Sequence, residues 1–392
     1  MLISLPSIST GAPLWAATLS LATLCVACTT TPEVPEDLLP ATVDEQPALA
    51  ASAHEAFFTL AADVPFVVDY AQNVAGAPYV ARWGAHAGPL VTTTNAVGGK
   101  TQKVVQRYTI GVAPQAAMVT KAEIVYATAS DVPAMSFFGA DGIVDLLSAP
   151  YAIGSYTTSG EPAPGEMLVY DRDYAAVVAR AKVNGFYSGT DVVIGGKTHI
   201  VYSGLSGLSN KASTTSENGL YLADLCAGKP GQEGCTTRKV FSWNGFSGPV
   251  AVDALGNAFV AASVLGGKSS DAVFAVANAD LATATTSVTL ADVASGGTSS
   301  LAAAYSTETK RGFVFARSFD GAPGVPPAAY MQEYASDGGI QKVGSAVESA
   351  IMFKEKGEFR TFFSDPTGGV WIAIVEGNSG KMFRLRQRKA TD

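Results

Sequence analysis

Seven aspartates could carry acid–base chemistry: Asp131, Asp141, Asp145, Asp171, Asp173, Asp253 and Asp365. Three of them, Asp131, Asp141 and Asp365, stand directly beside Gly, Pro or Ser, and most lie at the ends of apolar runs. Carboxylates gathered in pairs can act as general acid and base. At a strand end the same residue is chiefly a turn former, because its side chain accepts hydrogen bonds from the backbone that follows. Turn formation is therefore the expected role, and no catalytic residue is assigned. The "DRD" at 171–173 has the carboxylates of a calcium loop without the Gly and Glu of an EF-hand.

A serine nucleophile needs a base. The chain has three histidines, His54, His86 and His199, and no H-x-H or H-E-x-x-H spacing. His199 alternates with apolar residues in "THIVYSG", which places it on one face of a strand, and His86 in "WGAHAG" lies in or near a turn. No G-x-S-x-G is present; "GLSGLS" at 204–209 and "GFSGP" at 245–249 only approach it. "GGK" followed by Thr or Ser occurs at 98–101, 195–198 and 266–269, but Thr94, Asp191 and Ala262 stand where a phosphate loop needs Gly. These three are expected to be turns between strands. No metal and no cofactor are assigned.

The N-terminus gives an address. Residues 1–27 hold no Lys, Arg, Asp or Glu, and "PLWAATLSLATL" at 13–24 has the length of a signal-peptide apolar core. "LCVAC" at 24–28 follows, with small Val26 and Ala27 directly before Cys28, then a polar, Pro-rich stretch. This segment resembles a bacterial lipobox, with Cys25 where Leu is usual. The resemblance implies a signal peptide over 1–27, lipidation of Cys28, and a flexible tether over 28–46. It implies a place in the cell envelope, anchored by lipid, with the outer membrane favoured. Cys226 and Cys235 then remain as an even pair in an exported chain, and a disulfide between them is expected.

These features need elements to hold them. Of the 392 residues only 15% are charged, against roughly 25% in an ordinary soluble domain. Forty glycines and few helical spacings suit many short strands joined by tight turns. The net charge of −8 argues against non-specific nucleic-acid binding. Residues 47–63 read as a short helix, with Pro47 at its start and Leu49, Ala53, Ala56, Phe57 and Leu60 on one face. From 64 to 390 the pattern is short strands. The clearest unit runs through "PVAVDALGNAFVAAS", "DAVFAVANAD" and "TTSVTLADV", four strands in about 45 residues, the size of one propeller blade. It resembles the blade repeat of bacterial seven-bladed propeller proteins, with their apolar strand, D-x-x-G-N turn and second apolar strand. The resemblance implies an all-β fold, a single β-propeller. Seven strand pairs are counted, the first being "PFVVDYAQ" with "PYVARWGAHAG"; uneven spacing leaves six or eight blades open.

Arg384, Arg386 and Arg388 alternate, so they share one face of the last strand. Two roles suit them: an anionic partner, or a charged edge that blocks sheet-to-sheet association. The expected function is a non-enzymatic binding or scaffolding propeller at the envelope. The alternative is a propeller hydrolase or lyase acting on a glycan or lactone-like substrate through clustered acids and a metal. A protein or glycan partner is expected on loops 203–218, 318–328 and 157–166, which are long, polar and rich in Gly, Pro or Ser.

Overall fold

The computed structural model describes residues 51–389 apart from 75, 85–87, 98–99, 111–118, 130–144, 149–163, 171–176, 185, 205–217, 228–235, 265–269, 294–297 and 319–327. Cys28, Cys235, His86, Asp131, Asp141, Asp171, Asp173 and most of the three long loops lie outside the described residues.

The described chain opens with a single 3-10 turn, Ala51–Ala56. β1 (Phe58–Leu60) and β2 (Phe66–Val74) follow. Of the short helix expected over 47–63, residues 51–56 form a 3-10 helix; the expectation is corrected from Phe57 on, because Phe57 and Phe58 are drawn into the core and the chain extends to pair as a strand.

β3 (Ala77–Gly84), β4 (Gly88–Val97), β5 (Lys100–Ile110) and β6 (Val119–Ala129) form an antiparallel four-stranded sheet. β7 (Asp145–Ser148), β8 (Pro164–Tyr170) and β9 (Val177–Asn184) belong to a second. β10 (Phe186–Ile194), β11 (Lys197–Gly204) and β12 (Gly219–Asp224) start a third. The short β13 (Cys226–Ala227) leaves it to pair with β9, and β14 (Thr237–Ser242) returns to complete it. β15 (Gly245–Val252), β16 (Ala258–Val264), β17 (Ser270–Val276) and β18 (Val288–Val293) form the fourth sheet. β19 (Thr298–Ser306), β20 (Arg311–Ser318), β21 (Ala328–Ala335) and β22 (Gln341–Phe353) form the fifth, with β1 on its outer edge. β23 (Glu358–Ser364), β24 (Val370–Glu376) and β25 (Ser379–Gln387) form the sixth, and β2 is its fourth strand.

The arrangement is all-β and propeller-like. The first strands of the later sheets stand side by side, β10 against β15, β15 against β19, β19 against β23, and β23 against β3. Six sheets occur among the described residues. The expected pairing of "PFVVDYAQ" with "PYVARWGAHAG" is corrected, since β2 pairs with β25 and β3 with β4. Two residues separate β2 from β3, enough for a hairpin, yet the chain steps to the next sheet because β2 takes β25 as its partner. The "DALGN" unit is read correctly, strand for strand, as β15 to β18.

The core lies between sheets. β24 is buried on both faces from Val370 to Val375, with Trp371 fully enclosed. Phe66 of β2 sets its ring edge-on to Phe313 and Phe315 of β20, with centroids 5.2 and 5.0 Å away. The N-terminal strand thus seals two sheets at once. Truncating Phe66 to Ala should cost about 3–5 kcal/mol in urea unfolding. A loss under about 1 kcal/mol would mean that β2 is dispensable to the core.

Candidate functional site

The buried aspartates are turn centres. Asp253 follows β15, and its Oδ1 accepts from the backbone N–H of Leu255 and of Asn257, both at 2.9 Å. Gly256 between them takes a φ of +80°, and a Cβ there would lie 2.3 Å from Asn278 Nδ2, so Gly is required. Asp365 follows β23 and repeats the pattern. Its Oδ1 accepts from Thr367 N–H at 2.8 Å and Gly369 N–H at 3.0 Å, with Gly368 at a φ of +83°. Sequence logic placed both as turn formers, and the geometry agrees.

The second carboxylate oxygen of each turn reaches outward. Asp253 Oδ2 accepts from Tyr334 Oη of β21 at 2.6 Å and from Asn257 Nδ2 at 2.9 Å. Asn278 Nδ2 then donates to Val193 O of β10 and to Gly256 O. One turn therefore ties together three sheets. Burial raises the Asp253 pKa above the ordinary carboxylate value, against the hydrogen bonds from Tyr334 and Asn257. Burial, then the nearby Asp253 charge, holds the Tyr334 phenol well above its usual value.

Asp365 Oδ2 accepts from Trp371 Nε1 at 2.9 Å and faces Arg384 Nε at 3.2 Å. Arg384 and Arg386 both also reach Asp69 of β2, at 3.9 and 3.3 Å. Burial raises the Asp69 pKa, while the two arginines pull it down. Two carboxylates here share two guanidiniums, so the cluster is neutralised from within. β25 lies between β24 and β2, which corrects the expected edge-strand role for these arginines. Their charges face Asp69 and Asp365 and join strands.

His199 is better connected than its strand-face position implied. His199 and Asp224 are cross-strand partners in β11 and β12, with Nδ1 3.0 Å from Asp224 Oδ1. Thr236 Oγ1 donates to Asp224 Oδ2. Sequence spacing of 25 residues gives no hint of this pair, because only strand register brings it together. It pins the base of the β12–β14 connection, where Asp224 N–H also donates to Thr236 O at 2.9 Å. Cys226 leaves this base on β13. "GGK" at 195–198 is a two-residue hairpin turn, with Gly195 and Gly196 at positive φ, as expected.

The described carboxylates at turns are thus occupied as acceptors, and no group of three metal-ligating side chains occurs among the described residues. A different surface stays open. The link from β14 to β15 carries the buried Trp243, and Phe246 stands at the start of β15. Trp243 Nε1 donates to Phe246 O at 3.1 Å, and the Phe246 side chain is 43% exposed. Asn218, the last residue of the loop 203–218, accepts from Trp243 N–H and donates to Gly245 O. The link and that loop therefore share one end of the sheets.

No protein-family model matches the chain, and no curated protein matches it. Among solved structures, it resembles the soluble aldose sugar dehydrogenase of Escherichia coli in its apo form, at 10% identity and a TM-score of 0.46, over 82% of this chain and 99% of that one. A protein of unknown function from Dyadobacter fermentans aligns at 11% identity and a TM-score of 0.44, over 82% and 98% of the two chains. A Synechocystis apocarotenoid oxygenase mutant aligns at 10% identity and a TM-score of 0.33, over 82% and 80%. With every TM-score under 0.5, these likenesses transfer no activity to this chain.

The Asp253–Tyr334 contact has a pH signature. Burial favours the protonated carboxyl, so the folded pKa lies above the unfolded one. The stability Asp253 contributes is complete below the ordinary carboxylate range and is lost as pH rises through the raised value. Unfolding measured across that range should show wild type losing ground to Asp253→Asn as pH rises. Tyr334→Phe should cost about 1–2 kcal/mol at neutral pH. The opposite slope would mean that the hydrogen bonds to Asp253 outweigh its burial, and a neutral Tyr334→Phe would contradict the inter-sheet tie.

Proposed function

We propose that this chain is an exported lipoprotein whose sheets, six of them among the described residues, are blades of one propeller, and that it works as a non-enzymatic recognition or scaffolding platform at the cell envelope. The observation that carries this reading is the occupation of these described acids. Asp253 and Asp365 are spent on their turns, a phenol and an indole, and Asp69 of β2 on two arginines. A catalytic carboxylate needs an oxygen turned to a substrate, and these oxygens are turned to the protein.

The place of the tether suits an anchored platform. β1 and β2 come directly after it and are hydrogen-bonded into the fifth and sixth sheets. A pull on a lipid at Cys28 would load these paired strands first, and the partner would be met by loops 203–218, 318–328 and 157–166. A disulfide between Cys226 and Cys235 would close the connection whose base Asp224 and Thr236 already hold.

Two tests follow. Cys28→Ala should abolish incorporation of labelled palmitate and release the protein from membranes, while an unmodified mature N-terminus at another residue would refute the anchor. Shortening loops 203–218, 318–328 and 157–166 to tight turns should leave the unfolding midpoint nearly unchanged and abolish recovery of a partner cross-linked in the envelope. Recovery that survives all three deletions together would place the working face elsewhere.

A further inference from the structure

Five first strands share one irregularity. Each carries a bulge near its start, where one extra residue enters without a cross-strand partner. The break falls between Pro78 and Val80 in β3, Phe186 and Ser188 in β10, Ser247 and Val250 in β15, Thr298 and Ser300 in β19, and Phe359 and Thr361 in β23. The second strand of each sheet pairs regularly around it, so the surplus always belongs to the first. Bulges recur at barrel rims and beside binding sites, where they re-aim a side chain.

Hydrogen bonds show that neighbouring bulges stand at one level. Ser188 Oγ accepts from Val250 N–H at 3.1 Å, and Ser203 Oγ donates to Gly248 O at 2.7 Å. Ser300 Oγ accepts from Phe362 N–H at 2.7 Å and lies 3.3 Å from Thr361 Oγ1. A hydroxyl beside the bulge of one strand thus holds the next strand in register. The backbone places Tyr79, Tyr187, Ser299 and Arg360 at the surplus positions, and Gly248–Pro249 next to exposed Phe246. β15 and β23 approach each other although β19 stands between them, so the passage inside these strands is narrow.

We infer that this bulged rim is a binding mouth for a neutral saccharide chain. The inference deepens the recognition reading above and rests on it. Phe246 offers an exposed ring beside a close strand contact: Gly245 takes a φ of +146°, and a Cβ there would lie 1.8 Å from Ser263 O. The C–H face of a pyranose packs on such a ring. Arg360 is exposed and pairs with Glu358, with Nη1 to Oε1 at 2.9 Å and Nη2 to Oε2 at 3.0 Å. Together they present planar donors and acceptors suited to sugar hydroxyls, and their charges cancel. A free cationic mouth would favour an anionic polymer; this one favours a polyhydroxylated, uncharged ligand.

The test titrates the mature, detergent-solubilised lipoprotein with cellohexaose, maltohexaose and chitohexaose. Calorimetry reads binding, and the part of the tryptophan fluorescence that Trp243→Phe removes reads the surroundings of Trp243. At least one hexasaccharide should bind saturably and change the tryptophan signal. Phe246→Ala and Arg360→Gln should each weaken it by roughly tenfold, which is about 1.4 kcal/mol. Leu255→Ala, an exposed apolar residue of the Asp253 turn, should bind as wild type. Unfolding midpoints check that each variant is folded; if Phe246→Ala is not, Arg360→Gln alone decides. Absence of saturable binding by all three sugars, or wild-type binding by folded Arg360→Gln, overturns the inference. Partner recovery lost on loop deletion while no sugar binds would leave the recognition reading standing without the saccharide mouth. Saccharide binding that needs Phe246, with partner recovery indifferent to the loops, would do the reverse.

Discussion

The pairing of β2 with β25 is the contact on which the rest of the structure depends. It joins Phe66 to Gln387 and runs to Val74 opposite Gly380, linking residues more than 300 positions apart. Without it the sixth sheet would end on β25, and Arg384 and Arg386 would face no Asp69. Phe66 would also leave the rings of Phe313 and Phe315. Closing so long a loop is less costly than it looks, because closure entropy grows only with the logarithm of length, about 0.6 kcal/mol per doubling. The cost falls on kinetics, since non-local strand pairing folds slowly.

Closure is then reinforced from within by carboxylates. Asp253 and Asp365 each hold their own turn with one oxygen and reach a neighbouring strand with the other. A buried charge costs several kcal/mol in desolvation unless it is hydrogen-bonded on most sides, and both meet that condition. This explains why acids that look catalytic in a sequence become rivets in the fold. The bulges do similar work nearer the middle, where Ser188 and Ser300 carry hydrogen bonds from one first strand to the next.

What could be read in the sequence was local. The turn Asp253–Asn257 shows itself by Asp, Gly and Asn at fixed offsets, and the hairpin at Gly195–Gly196 by its two glycines. The partner of β2 leaves no local mark, because "PFVVDYAQ" alternates like any half-buried strand and its mate is at the far end of the chain. Arg384 and Arg386 look like edge charges for the same reason, since Asp69 is distant in sequence. The His199–Asp224 pair depends on register between two strands. The bulges are the hardest to foresee: one surplus residue within a strand shifts the alternation without breaking it. Sequence reading placed a helix where Phe57 and Phe58 instead turn the chain inward, because it credited the amphipathic face and not the edge that β22 offers β1.

The account divides the molecule into a face of rivets and a face that works. Turns 253–257 and 365–369 hold sheets together, while the link after β14, the bulged strand starts and the long loops are the proposed working face. Amide hydrogen exchange on the purified protein, with and without envelope extract, compares the two faces directly. The account predicts new protection over 243–246, 358–361 and the loops 203–218 and 318–328, with turns 253–257 and 365–369 unchanged. New protection at the two aspartate turns, with none at the link or loops, would contradict it.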